Sequence, residues 1–224
     1  KKNIKLYGYY QLASSDDQAL IDATTIDCSV EGDEERRSCI TIAVREVDED
    51  IGGPEIIGFT IRNGTGTLIT DSSGEELYVG GGVFIDHTVP IMQHNHFYNN
   101  GPESHDVINQ GGAIYAHYGY GIEYDGMESI DGVDIDTNGT LVLSHNAFEN
   151  NYAQFGKTIT VIGYNGQIDM SDCYFDVFDF DQTTRTGNVS TYWCAKGDGN
   201  ASWNYSNISG REAAIITDVS VILE

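Results

Sequence analysis

Phe97-Tyr98-Asn99-Asn100 and Phe148-Glu149-Asn150-Asn151 decide the reading of this chain. Each closes a short run of alternating residues. Ile91-Met92-Gln93-His94-Asn95-His96 leads into the first, and Leu141-Val142-Leu143-Ser144-His145-Asn146-Ala147 into the second. Alternation of apolar and polar residues marks a strand with one buried face. Ile56-Ile57-Gly58-Phe59-Thr60-Ile61-Arg62-Asn63-Gly64 is a third copy, and Ile168-Asp169-Met170-Ser171-Asp172-Cys173-Tyr174-Phe175 a weaker fourth. Interleaved with them are strands opening on glycine, at residues 81–85, 111–115 and 156–160.

A glycine-led strand, a turn, a second strand and an asparagine-rich turn thus recur, at an uneven spacing of about 20 to 50 residues. One such unit cannot bury its own inward side chains; stacked units can, and inner ones gain a backbone ladder on both sides. The expected fold is all-β, a right-handed parallel β-helix (β-solenoid) of about five or six coils with inserted loops. Asn95 and Asn146 are expected in one stacked row, each amide bonding the next, with Asp172 beneath. Residues 65–79 read as a polar loop, 101–110 as a shorter excursion and 118–138 as a long acidic one. Residues 1–224 form one domain, with a repeat core at 48–180 and atypical, capping segments at 1–47 and 181–224.

Composition narrows the function. The chain holds 26 glycines and only 3 prolines, a balance suited to short strands and tight turns. Its net charge of −24 repels phosphate backbones and anionic lipid, which excludes nucleic acid as a partner. No apolar run approaches the roughly 18 residues of a membrane span, so no membrane insertion by this chain is expected. No signal peptide is visible; the opening Asn3-Ile4-Lys5-Leu6-Tyr7-Gly8-Tyr9-Tyr10 is strand-like, and reads as a processed chain or an excerpt of a larger one.

Four cysteines allow three pairings, and the sequence-local one, Cys28 with Cys39 and Cys173 with Cys194, is expected. Asn-x-Ser/Thr sequons begin at Asn63, Asn138, Asn188, Asn200, Asn204 and Asn207. Even cysteine parity and these glycosylation candidates point to an extracellular or cell-surface location.

The Phe97 and Phe148 tetrads, with Gly111-Gly112-Ala113-Ile114 and its variant Gly80-Gly81-Gly82-Val83, resemble the GGA(I/L/V) and FxxN repeats of polymorphic outer-membrane proteins. The stretch from Gly58 to Gly64 is similar to strands of secreted right-handed parallel β-helix proteins. The likeness covers roughly residues 50–180. It implies the β-helix fold and, by analogy, a surface-displayed adhesin.

Candidate sites follow. Asp134-Ile135-Asp136-Thr137-Asn138-Gly139 places oxygens at alternate positions before a glycine, the opening of a calcium loop, with Asp134, Asp136 and Asn138 as ligands. Position twelve is His145, which excludes an EF-hand. His94 and His96 share a strand face, one strand after Asp86-His87, a spacing zinc can use, but they flank Asn95 of the stacked row and are expected to project outward. A lyase would draw its base from Arg62 or Lys157, and a hydrolase its carboxylates from Asp169, Asp172 and Asp176. No nucleophile constellation is present, so no catalytic residue is assigned. Tyr118 and Tyr120, in a Gly-Tyr loop, are ligand-contact candidates, while Trp193 and Trp203 read as capping core.

The expected function is an extracellular structural or adhesive module. It would self-associate end to end into filaments or form part of a larger surface protein, with itself or cell-surface polysaccharide or protein as partner, and calcium as its one cofactor candidate. The alternative is a carbohydrate-active enzyme, lyase- or hydrolase-like, or a polysaccharide-binding module.

Overall fold

The computed structural model describes residues 4–8, 18–29, 36–43, 53–101, 108–119, 121–128, 139–178, 180–181, 195–199 and 201–213. These residues are mostly strand, with a single short helix, Gln18–Ala23, described among them. Three six-stranded sheets, parallel throughout, carry the architecture. In spatial order the first holds Lys5–Tyr7, Glu55–Ile57, Ile91–Gln93, Thr140–Val142, Gln167–Asp169 and Ser202–Asn204. The second holds Thr25–Asp27, Thr60–Arg62, His96–Tyr98, Ala147–Glu149, Tyr174–Phe178 and Ser209–Ala213. The third holds Ile40–Ala43, Val83–Asp86, Ile114–His117, Ile159–Tyr164, Ala195–Gly199 and Phe180–Asp181.

Between Glu55 and Phe178 the chain visits the three sheets in fixed rotation, and each return lands beside the strand laid one circuit earlier. The circuits differ in length: 36 residues separate Phe59 from Asn95, 51 separate Asn95 from Asn146, and 27 separate Thr140 from Gln167. Register survives this unevenness because like residues meet. Phe97 pairs with Phe148, and Phe148 with Phe175. Their rings stack at 5.0 and 4.8 Å, nearly parallel, and are fully buried. The asparagine three positions on completes the tetrapeptide's logic. Asn100 Nδ2 donates to Asn151 Oδ1 at 3.0 Å, while Asn100 Oδ1 accepts the Gly64 N–H at 3.2 Å. A second row joins Asn95 to Asn146, as the sequence suggested. Asp172 does not continue it. Cys173 stands next in the row, buried, its Sγ donating to Leu143 O at 3.0 Å; a thiol packs there as a small apolar group. Asp172 lies in the adjoining corner.

That corner explains the histidines and asparagines of the repeat. His94, His145, Asp172 and Asn207 have φ between +55° and +58° in one turn column, and Asn63, Asn99 and Asn150 between +53° and +63° in another. Asn, Asp and His are the non-glycine residues that best tolerate the left-handed region. At the entry to the third sheet the requirement is stricter. Gly111 has φ +63°, and a Cβ there would lie 2.3 Å from Ile114 O.

Residues 65–79 are not a loop. Thr67–Thr70 and Glu76–Val79 pair as an antiparallel hairpin, which Glu123–Tyr124 and Met127–Glu128 extend. Asp71 closes the hairpin, its Oδ1 accepting from the Ser73 and Glu75 N–H groups at 2.8 and 3.0 Å. Ile69 and Val79 of the hairpin, with Ile122 and Tyr124, cover Phe84 and Tyr115. The third sheet is therefore apolar on both faces: Val83, Ile85, Ile114 and Ala116 enter the main core, and Phe84 and Tyr115 the outer cluster.

Candidate functional site

The outer face of the third sheet carries a polar cluster where the strands end. Asp86 closes Val83–Asp86, His117 closes Ile114–His117, and the two are register partners. By alternation both follow Phe84 and Tyr115 outward, under the antiparallel layer. His87 turns away at φ +49° and sets its Nδ1 2.6 Å from Asp86 Oδ1. The Tyr124 hydroxyl, from the covering layer, donates to Asp86 Oδ2 at 2.7 Å. His117 Nδ1 lies 4.0 Å from Asp86 Oδ1, and the two imidazole rings are 5.8 Å apart. One donor atom from each of Asp86, His87 and His117 falls within 4.8 Å of the others, and the three residues are 0%, 3% and 4% exposed.

A carboxylate so deeply buried needs partners, and Asp86 has a hydroxyl on one oxygen and an imidazole on the other. His117 is different. Burial holds its pKa down to about 4, outweighing the upward pull of the Asp86 carboxylate, so its ring is neutral at physiological pH. Its Nδ1 is buried with no hydrogen-bond partner among the described residues. Two imidazoles and one carboxylate form a donor set suited to zinc and other first-row ions, and the neutral imidazole is the form that ligates.

Sequence reasoning set Asp86 and His87 beside His94 and His96; the structure places His117, not those two, against Asp86. The turn at His94 interrupts the strand between His94 and His96. The His94 ring stacks on His145 at 4.9 Å, whereas His96 faces Asp22 and Glu149. His117 and Tyr124 were missed. A signal existed: laying Gly80-Gly81-Gly82-Val83-Phe84-Ile85-Asp86 over Gly111-Gly112-Ala113-Ile114-Tyr115-Ala116-His117 sets Asp86 against His117.

The other candidates have definite places. Asp134, Asp136 and Asn138 lie outside the described residues, as do Tyr120, Asn188, Asn200, Trp193 and Cys194. Tyr118 is half-buried; its hydroxyl donates to Thr88 O at 2.7 Å and its ring packs on Tyr164 at 4.5 Å. Arg62 is held by Asp27 through Nε and Nη2, at 2.9 and 2.7 Å, and the Lys157 ammonium rests over the Tyr152 ring. Asp169 binds Ser171 N and Asn204 Nδ2, Asp172 binds Asn207 Nδ2, and Asp176 binds Asn150 N. Asn63 Nδ2 donates to Asp27 Oδ1 and Ser29 Oγ. Trp203 packs against the core and stacks on Tyr205. Cys28, Cys39 and Cys173 are thiols. The first two touch: mutual hydrogen bonding draws Cys28 down in pKa and, with burial, pushes Cys39 up.

The chain matches no family model, no curated protein and no solved structure. Among the described residues no helix is long and apolar enough to cross a membrane.

Proposed function

We propose that this chain is a right-handed parallel β-helix serving as an extracellular structural or adhesive module, one that joins copies of itself end to end. The fixed rotation through three parallel sheets supports the winding, and parallel crossovers are right-handed on steric grounds in about 98% of cases. The resemblance to polymorphic outer-membrane protein repeats points to the same class. The observation that carries the assembly reading is the first strand. Lys5–Tyr7 is outermost in its sheet among the described residues, and Ile4, Leu6 and Tyr7 remain 53%, 38% and 44% exposed. An apolar strand at a sheet edge offers unpaired backbone groups to another chain. An extracellular setting suits the even cysteine count and the sequons, and would let the neighbouring Cys28 and Cys39 thiols pair.

The lyase form of the rival enzyme reading has less support, because Arg62 pairs with Asp27 and the Lys157 ammonium rests over the Tyr152 ring. Sedimentation velocity across a concentration series tests the proposal. Mass should rise with concentration, and Leu6→Lys, which sets a charge on that edge, should return the protein to monomer. A chain that stays monomeric at every concentration, and that cleaves a polysaccharide in a product assay, would overturn it in favour of the enzyme.

A further inference from the structure

We propose that Asp86, His87 and His117 bind one divalent first-row transition ion, with Zn²⁺ as its type, beneath the Tyr124 hydroxyl. The inference is independent of the proposed assembly. Two observations converge. The first is a set of three donors of the right chemistry within 4.8 Å of one another, buried together. The second is His117 Nδ1, on a side chain 4% exposed, with no hydrogen-bond partner among the described residues and lying 4.0 Å from the shared oxygen Asp86 Oδ1. Structures seldom leave a buried ring nitrogen unsatisfied without a reason.

An ion answers each feature. It takes the His117 lone pair, and it takes the place of the proton shared between His87 Nδ1 and Asp86 Oδ1. Asp86 Oδ2 keeps its bond from Tyr124, the kind of outer partner that orients a ligating carboxylate. Bonds of about 2.1 Å in a tetrahedral site set donors about 3.4 Å apart. The 2.6 Å contact between Asp86 and His87 must therefore open and the widest separation close, shifts within reach of side-chain rotation. Three protein ligands leave a fourth position, which water can fill. The burial implies loading as the chain folds, so the ion would tie two circuits of the third sheet to the layer above them.

The test uses the full chain, stripped with chelator in denaturant and refolded with Zn²⁺ or Co²⁺. Millimolar Ca²⁺ is present throughout to mask the acidic surface. One ion per chain is expected, with a Co²⁺ visible spectrum of low coordination number. His117→Gln and Asp86→Asn should weaken binding at least about 100-fold, and Tyr124→Phe about 10-fold. His94→Ala should leave it unchanged. Where a variant fails to refold, X-ray absorption of the zinc-loaded wild type decides, since it must count two imidazole nitrogens. Absence of stoichiometric binding by the refolded wild type, wild-type affinity in His117→Gln, or an absorption spectrum without imidazole would each overturn the site.

Discussion

Replacing Asn100 with alanine tests the asparagine row where it is most deeply buried. Asn100 is fully buried, and its side chain serves three groups: Gly64 N, Ile61 O and Asn151 Oδ1. Asn151 Oδ1 keeps a second donor in the Asn100 backbone N–H at 3.2 Å, so it is not orphaned. Gly64 N and Ile61 O lose their side-chain partner inside the protein. A buried group left without a bond costs about 1–3 kcal/mol, so the pair sums to about 4 kcal/mol, a large share of a typical domain's stability. Urea unfolding followed by circular dichroism, fitted with a common slope, reads this loss. Asn151→Ala and the double variant complete a cycle, with an expected coupling of about 1 kcal/mol for the shared amide bond. A loss below about 1 kcal/mol in Asn100→Ala would mean that water or a relaxed backbone satisfies these groups. The row would then be ornamental to stability.

Phe148→Ala, which opens a gap between Phe97 and Phe175, should cost about 3–5 kcal/mol in the same assay, and Phe148→Leu less. Gly111→Ala should lose more than about 2 kcal/mol, combining left-handed backbone with contact at Ile114 O. Gly74→Ala, also at positive φ but with nothing within 4 Å, should lose only about 1 kcal/mol. The Asp27 carboxyl is held well below the usual range, chiefly by the Ser29 hydroxyl and further by the Asn63 amide, the Ser29 N–H and Arg62. A depressed carboxyl pKa stabilises the fold above the unfolded value and loses that contribution as pH falls through and below it. Denaturation titrated through about pH 4 and lower should therefore show a shallower acid slope in Asp27→Asn. Peptide mapping of protein made under oxidising conditions should find Cys28 linked to Cys39, and reduction should cost about 2–3 kcal/mol.

The parts of the fold that repeat by residue type were legible in the sequence. Phenylalanines facing phenylalanines, and asparagines facing asparagines, fix register through side-chain complementarity, so Phe97, Phe148, Asn95 and Asn146 could be aligned without coordinates. Cys173 broke that logic because a buried thiol fills an asparagine's place without resembling it, and nearby Asp172 looked the better match. The hairpin at 67–79 was hidden for another reason. Thr67-Leu68-Ile69-Thr70 carries only two apolar residues, one of them exposed, and its buried face is completed by residues more than a circuit away. The cluster around Asp86 is likewise non-local. Asp86 and His117 end two copies of the glycine-led strand and can be laid together by it, but no motif marks Tyr124, which only the added layer brings to them.

The covering layer is assembled from segments belonging to different circuits, and this imposes a schedule on synthesis. Asp86 leaves the ribosome 38 residues ahead of the tyrosine that will roof it, with His117 emerging in between. Until then its carboxylate lacks the hydroxyl that caps it, and Phe84 lacks the ring that packs edge-on against it, although the hairpin that also covers Phe84 is already made. A pause in translation within that interval would hold the nascent chain with a bare acidic notch, in the state best placed to meet either a chaperone or a passing cation.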